Sequence, residues 1–197
     1  MGSSAAVLVE TFARQGYVVV RQLVPAATVA MLCQHLQRRV AEGNLWMGDT
    51  QVPNTPGVHG DPVLDELMEQ LRPAVEFCTG LRLYPTYSYT RFYKHGDRLP
   101  PHRDRAACEI SLSLNLDQVP AEPWALNVQG EDGATAALLL PGDVLLYRGI
   151  ALTHWREPFA GERLTQVFLH YVDQNGPHAA EKFDRRTALG KPLDIKK

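Results

Sequence analysis

Seven histidines stand in this chain of 197 residues, and three of them open the same tripeptide pattern: His59-Gly60-Asp61, His95-Gly96-Asp97 and His102-Arg103-Asp104. Side chains in an extended segment repeat every second residue, so His-x-Asp sets an imidazole and a carboxylate on the same side. With one more imidazole from a distant part of the chain, such a pair makes a facial set of three ligands. That set suits Fe(II) and leaves three positions of an octahedron open.

The three copies are not equivalent. His59 lies in a stretch rich in Pro and Gly, and Asp61, directly before Pro62, has the position of a helix N-cap. His95-Gly96-Asp97 has the composition of a tight turn, because Gly supplies positive φ and Asp favours turn positions. It stays as the alternative ligand pair. His102 and Asp104 follow Pro100-Pro101, which stiffens the entry, and precede a strand. Candidates for the third ligand are His154, His170 and His178. His154 is followed nine residues later by Arg163, and Thr165 shares the strand face of Arg163. A guanidinium and a hydroxyl so placed can grip a carboxylate. His170 has the opposite parity to Arg163 and is expected to face elsewhere, hydrogen-bonded in or behind the sheet. His178 stands in the polar tail.

These residues need a frame. Leu8, Val9, Phe12 and Ala13 predict a helix ended by Gly16, with a short strand from Tyr17 to Val20 after it. Pro25 opens a second helix, whose buried face is Val29, Leu32, Cys33, Leu36 and Val40. Residues 44–60 carry no periodicity and read as a long loop of the kind that covers functional sites. A third helix starts at Asp61-Pro62 and buries Leu64, Leu67, Met68, Leu71 and Val75, with Pro73 expected to kink or divide it. From about residue 82 the texture changes to short alternating segments near 82–93, 108–116, 124–129, 135–140, 144–148, 151–156 and 163–172. That spacing predicts an antiparallel sandwich or barrel. Helices first and strands afterwards imply an α+β layout with the helices outside one sheet. The chain divides into a helical front (1–80), a β core (81–173) and an extended C-terminal tail (174–197) of one domain.

Composition narrows the function. A net charge of −2 without a basic block offers no footprint for nucleic acid. No apolar run approaches the length of a membrane helix and no signal-peptide layout opens the chain, so a cytoplasmic protein is expected. Cys33, Cys78 and Cys108 are odd in number and sit in apolar stretches, which predicts buried reduced thiols.

Three runs, RFYKHGDRLPPHRD (91–104), CEISLSLNL (108–116) and HWREPFAGERLTQVFLHY (154–171), together resemble the Fe(II)/2-oxoglutarate dioxygenases, and among them the prolyl-hydroxylase-like and phytanoyl-dioxygenase-like members. The resemblance covers residues 81–173. It implies a double-stranded β-helix, or jelly roll, with His102, Asp104 and His154 on iron. It also implies that Arg163 and Thr165 bind the distal carboxylate of 2-oxoglutarate and that Tyr93 and Ser113 contact this co-substrate. O2 would take the remaining site. The expected reaction is hydroxylation of a small molecule or a protein side chain with release of succinate and CO2. Tyr87, Tyr89 and Arg91 share the parity of Tyr93 and are candidates for a substrate pocket. A cupin-like metal-binding jelly roll without turnover is the alternative from another class, and a nucleic-acid-demethylating oxygenase is the rival among enzymes.

Overall fold

The structure, a computed structural model, describes residues 2–43 and 45–191. Helix α1 (Gly2–Gln15) leads through strand β1 (Tyr17–Val20) to helix α2 (Ala26–Ala41), strands β2 (Trp46–Met47) and β3 (Pro56–His59), and helix α3 (Pro62–Thr79). The remaining strands are β4 (Leu83–Lys94), β5 (Leu99–His102), β6 (Ile110–Val119), β7 (Leu126–Gly130), β8 (Gly133–Ala137), β9 (Val144–Arg148), β10 (His154–Arg156) and β11 (Arg163–Asp173). A seven-stranded sheet runs β1-β9-β6-β11-β4-β3-β2 and a four-stranded sheet runs β5-β10-β7-β8, with neighbours antiparallel.

The large sheet is covered on both faces. Ile110, Leu112, Leu114, Val144, Leu146, Val167, Leu169 and Tyr171 pack against the helices through Phe12, Leu32, Leu36, Leu64 and Met68. On the opposite face Tyr93, Leu145, Tyr147, Leu164 and Phe168 meet Leu99, Leu126 and Val128 of the small sheet. Strand alternation thus divides each long strand between a helix layer and a closed β interior.

Local chemistry explains the element ends. Asp61 Oδ1 accepts the Val63 and Leu64 amides at 3.0 and 3.3 Å, the N-cap expected from its place before Pro62. Helix α3 runs undivided through Pro73 and closes on Gly80 in the left-handed conformation. Strand β5 contains Pro100 and Pro101, which cannot donate to a ladder. It therefore lies at the edge of the small sheet, with β10 as its one neighbour. Its prolines hid it from the sequence reading.

Two segments differ from expectation. The stretch read as a loop folds into β2 and β3 and extends the large sheet beside β4. Gly57 permits this, because a Cβ there would lie 2.7 Å from the Thr90 carbonyl and from the Tyr89 hydroxyl. The C-terminal segment is docked rather than extended as far as residue 191. Phe183, Asp184 and Arg185 have φ of 60°, 50° and 64°, a left-handed run that non-glycine residues adopt at a cost. Contacts on both sides hold it. Asp184 takes a bidentate pair from Arg105 at 2.7 and 2.8 Å, and fully buried Arg186 binds Asp65 at 2.7 Å. Asp65 also accepts Ser88 Oγ at 2.7 Å and the Gly190 amide at 2.8 Å.

Removing one partner of a buried ion pair strands the other charge, at about 3–5 kcal/mol. Arg186→Ala is therefore expected to lower unfolding stability by that amount in urea titration; a loss under about 1 kcal/mol would show the segment to be a passive tail.

Candidate metal centre

His102 ends β5 and His154 begins β10, and the two are register partners across that pair. Asp104 stands two residues beyond His102 and hydrogen-bonds through its amide to the Gly149 carbonyl at 2.9 Å. The β5–β10 pairing thereby brings His102 and His154, far apart in sequence, to one point. The donor atoms of His102, Asp104 and His154 lie within 4.8 Å of one another. Asp104 Oδ1 is 3.5 Å from Nε2 of each histidine, and the two rings are 4.2 Å apart at their centroids.

Tautomers are set by the backbone. Nδ1 of His102 donates to the Pro100 carbonyl at 2.9 Å, and Nδ1 of His154 donates to the Leu152 carbonyl at 3.0 Å. Each Nε2 lone pair is left facing Asp104, as a metal ligand requires. Burial opposes the charge of Asp104, yet the imidazoles of His102 and His154, with His170 behind them, hold its carboxyl well below the usual range.

The other His-x-Asp copies have different work. Asp97 closes a turn on the Lys94 amide at 2.9 Å and accepts Thr55 Oγ1 at 2.7 Å. His59 is not merely a loop residue. It lines the same pocket as the triad and stacks on Tyr87 at 4.6 Å and 7°.

The expected carboxylate grip is not beside the triad. Arg163 is exposed on the helix side of β11, paired with Asp117 at 3.1 Å, and Thr165 shares that face. Leu164, Gln166, Phe168 and His170 are the inward residues of β11. The parity assignment was inverted: His170 faces the site and Arg163 faces away. Both faces of β11 are buried over most of its length, so no polar alternation marked which was which. The remaining expected contacts lie in the β interior. Tyr93 is fully buried and its hydroxyl accepts Arg91 Nη1 at 3.0 Å, while Ser113 Oγ accepts Gln166 Nε2 at 3.0 Å.

A buried cation not singled out in the sequence lies on the strand of His154. Arg156 follows His154 by two positions on the same strand face and is buried. Its Nη1 donates to the Trp124 carbonyl at 2.6 Å and Nη2 to Gln166 Oε1 at 2.9 Å. Its Nε has no partner and no carboxylate pairs with it among the described residues. The guanidinium lies 4.6 Å over the Trp124 ring. Burial pulls its pKa down to about 10, so it remains a cation at neutral pH. The available signal was the His-x-Arg spacing, which puts a cation on the face of a candidate ligand.

A cavity of about 440 Å³ opens over the triad. Its walls include Trp46, Tyr87, Tyr89, Arg91, Leu99 and Phe168. Asp49, from the segment between β2 and β3, reaches in to pair with Arg91. Burial opposes the Arg91 charge, but Tyr93, Tyr89 and Asp49 together raise its pKa.

Neither a family model nor a curated protein matches the sequence. Solved structures do. A prolyl-4-hydroxylase from Pseudomonas putida is 22% identical, with 86% of this chain and 98% of that chain covered and a TM-score of 0.69. The epimerase SnoN in complex with Fe3+, alpha ketoglutarate and nogalamycin RO is 15% identical, with 95% and 93% covered and a TM-score of 0.76. HygX from Streptomyces hygroscopicus, with nickel and 2-oxoglutarate bound, is 16% identical, with 86% and 87% covered and a TM-score of 0.66. The chain thus has the double-stranded β-helix fold of the non-haem Fe(II)/2-oxoglutarate oxygenases. Among the described residues no helix is long and apolar enough to cross a membrane.

Burial pushes the pKa of His59 down to about 4, against about 6.5 in an unfolded chain. Between those values the unfolded chain binds a proton that the folded chain refuses, so stability is lost as pH falls from 6.5 towards 4. The loss from this residue is about 2–3 kcal/mol. Urea midpoints at pH 7.5 and 4.5 are expected to differ less in His59→Gln than in the wild type; an unchanged difference would remove His59 as a source of acid lability.

Proposed function

We propose that this chain is a non-haem Fe(II)- and 2-oxoglutarate-dependent dioxygenase that hydroxylates a small molecule or a protein side chain, releasing succinate and CO2. The observation that carries the reading is a three-ligand donor set with a buried, carboxylate-free guanidinium two residues from one of the ligands. Two neutral imidazoles and one carboxylate on one face are the donors Fe(II) takes while keeping positions open. An unpaired cation in the interior is costly, and an anion supplied from outside removes that cost. Two residues of strand span about 6.5 Å, a reach that suits a five-carbon dicarboxylate with one end at the metal.

Bound together, Fe(II), 2-oxoglutarate and O2 supply the oxidising chemistry that yields succinate, CO2 and a hydroxylated product. The protein's part is to orient and to exclude water. His102, Asp104 and His154 hold the metal. Arg156 binds the distal carboxylate of the co-substrate, with Gln166, Tyr93 and Ser113 as the polar groups around it. Leu99, Leu126 and Phe168 supply the apolar part of the cavity wall. Arg163 and Thr165 have no part in it, since they lie on the opposite face of β11. Trp46, His59, Tyr87 and Tyr89 form the wall left for the substrate, whose size the cavity of about 440 Å³ limits to a small molecule or one protruding side chain.

Succinate formation from 2-oxoglutarate under air, with Fe(II) and ascorbate, tests this directly by NMR. Wild type is expected to form succinate slowly even without substrate, and Asp104→Ala to fall by more than the roughly 10- to 100-fold that loss of a ligand's outer partner costs. Asp97→Ala is expected to keep the wild-type rate. Iron-loaded protein that forms no succinate would favour a cupin-like binding jelly roll.

A further inference from the structure

The carboxylate of Asp104 is held from behind. Its Oδ1 is the oxygen that faces Nε2 of both His102 and His154, whereas Oδ2 is turned away and lies 3.0 Å from Ser111 Oγ. Ser111 Oγ is in turn 2.9 Å from Nδ1 of His170, its register partner across β6 and β11. A serine hydroxyl has one proton to give. Within its reach are Asp104 Oδ2, the Cys108 carbonyl at 3.2 Å and His170 Nδ1. The ionised carboxylate is the strongest of these acceptors, so the Ser111 proton goes to Asp104 and His170 Nδ1–H donates to Ser111.

The chain of donors cannot swing aside. The His170 ring lies 4.6 Å from Tyr87 and is stacked at 5° on Phe168 at 6.4 Å. Ser111 and His170 are buried, on paired strands of the large sheet. Gly149 closes the remaining side: a Cβ at that position would collide with Asp104 Oδ2 and the Cys108 carbonyl and would lie 2.8 Å from Ser111 Oγ. Asp104, Cys108 and His170 also have donor atoms within 4.8 Å of one another. That trio is satisfied by protein, since Cys108 Sγ pairs with the Tyr87 hydroxyl at 3.0 Å and His170 Nδ1 with Ser111.

We propose that Ser111 and His170 are positioning residues that fix Asp104 as a one-oxygen metal ligand, by tying down the oxygen that would otherwise turn towards the metal. The inference rests on the reading of His102, Asp104 and His154 as the metal site. A carboxylate free to rotate could chelate through both oxygens and fill a position the co-substrate or O2 needs; the Ser111 bond prevents it. Outer partners of this kind typically contribute 10- to 100-fold in metal affinity.

Co(II) serves as the probe, titrated into chelator-treated full-length protein by calorimetry and by its visible absorption. Wild type is expected to bind one Co(II) per chain. Ser111→Ala is expected to bind Co(II) with an affinity changed by about 10- to 100-fold and with a shifted spectrum, as one-oxygen ligation gives way to two, while its circular dichroism stays that of the wild type. Ser111→Thr, which keeps the hydroxyl, is expected to restore both affinity and spectrum. His170→Phe, which keeps the ring stack but not the donor, is expected to fall between wild type and Ser111→Ala. Wild-type affinity and spectrum in Ser111→Ala would overturn the proposal while leaving the metal site standing. Two Co(II) per wild-type chain would also overturn it, by making the Cys108 and His170 cluster a site of its own. A wild type that takes up no metal would overturn the metal reading and this inference with it.

Discussion

Side chains of a strand alternate between two faces, and in the seven-stranded sheet both faces are covered. One layer is helical and mainly apolar; the other is the closed interior between the two sheets. Most inward positions of β4, β6 and β11 are therefore buried, and a polar group there must find a partner or do chemistry. Ser111, Ser113, Gln166 and His170 find partners in one another and in Asp104. Arg156, entering from the small sheet, does not find a carboxylate, and it is the one buried guanidinium of the interior left to accept an outside anion among the described residues. Arg91, which approaches the same Tyr93 ring, already has Asp49.

Much of the frame was legible because its signals are local. The N-cap of Asp61, the periodicity of α2 and α3, and the alternation of β6 between leucines and small polar residues each depend on a few neighbouring positions. That His102 and Asp104 meet His154 was legible as well, since a Gly-centred turn and a helix cap account for the other two copies. Less legible was everything decided by the second layer. The segment 99–102 is a strand only because β10 needs a partner, and its two prolines say otherwise. Within residues 45–60 the chain forms β2 and β3, and Gly57 lets β3 approach β4.

The inversion on β11 is the most instructive case. Arg163 and Thr165 have the right types and a plausible distance from His154, yet strand parity sends them to the helix side. A strand that is polar on one face announces its direction. Here Val167, Leu169 and Tyr171 on one face are as apolar as Leu164 and Phe168 on the other, and only the pairing of the whole sheet breaks the tie. The same alternation, anchored at His154 rather than at Arg163, points to Arg156.

The measurement that bears most directly on this account is an anaerobic titration of Fe(II)-loaded protein with 2-oxoglutarate, following the weak visible band of the chelate in wild type, Arg156→Ala and Arg163→Ala. The account predicts a band in wild type, the same midpoint within about twofold in Arg163→Ala, and a midpoint raised about 100-fold in Arg156→Ala, the equivalent of a lost charge-assisted pair at about 3 kcal/mol. A wild-type midpoint in Arg156→Ala, or a shift confined to Arg163→Ala, would contradict it.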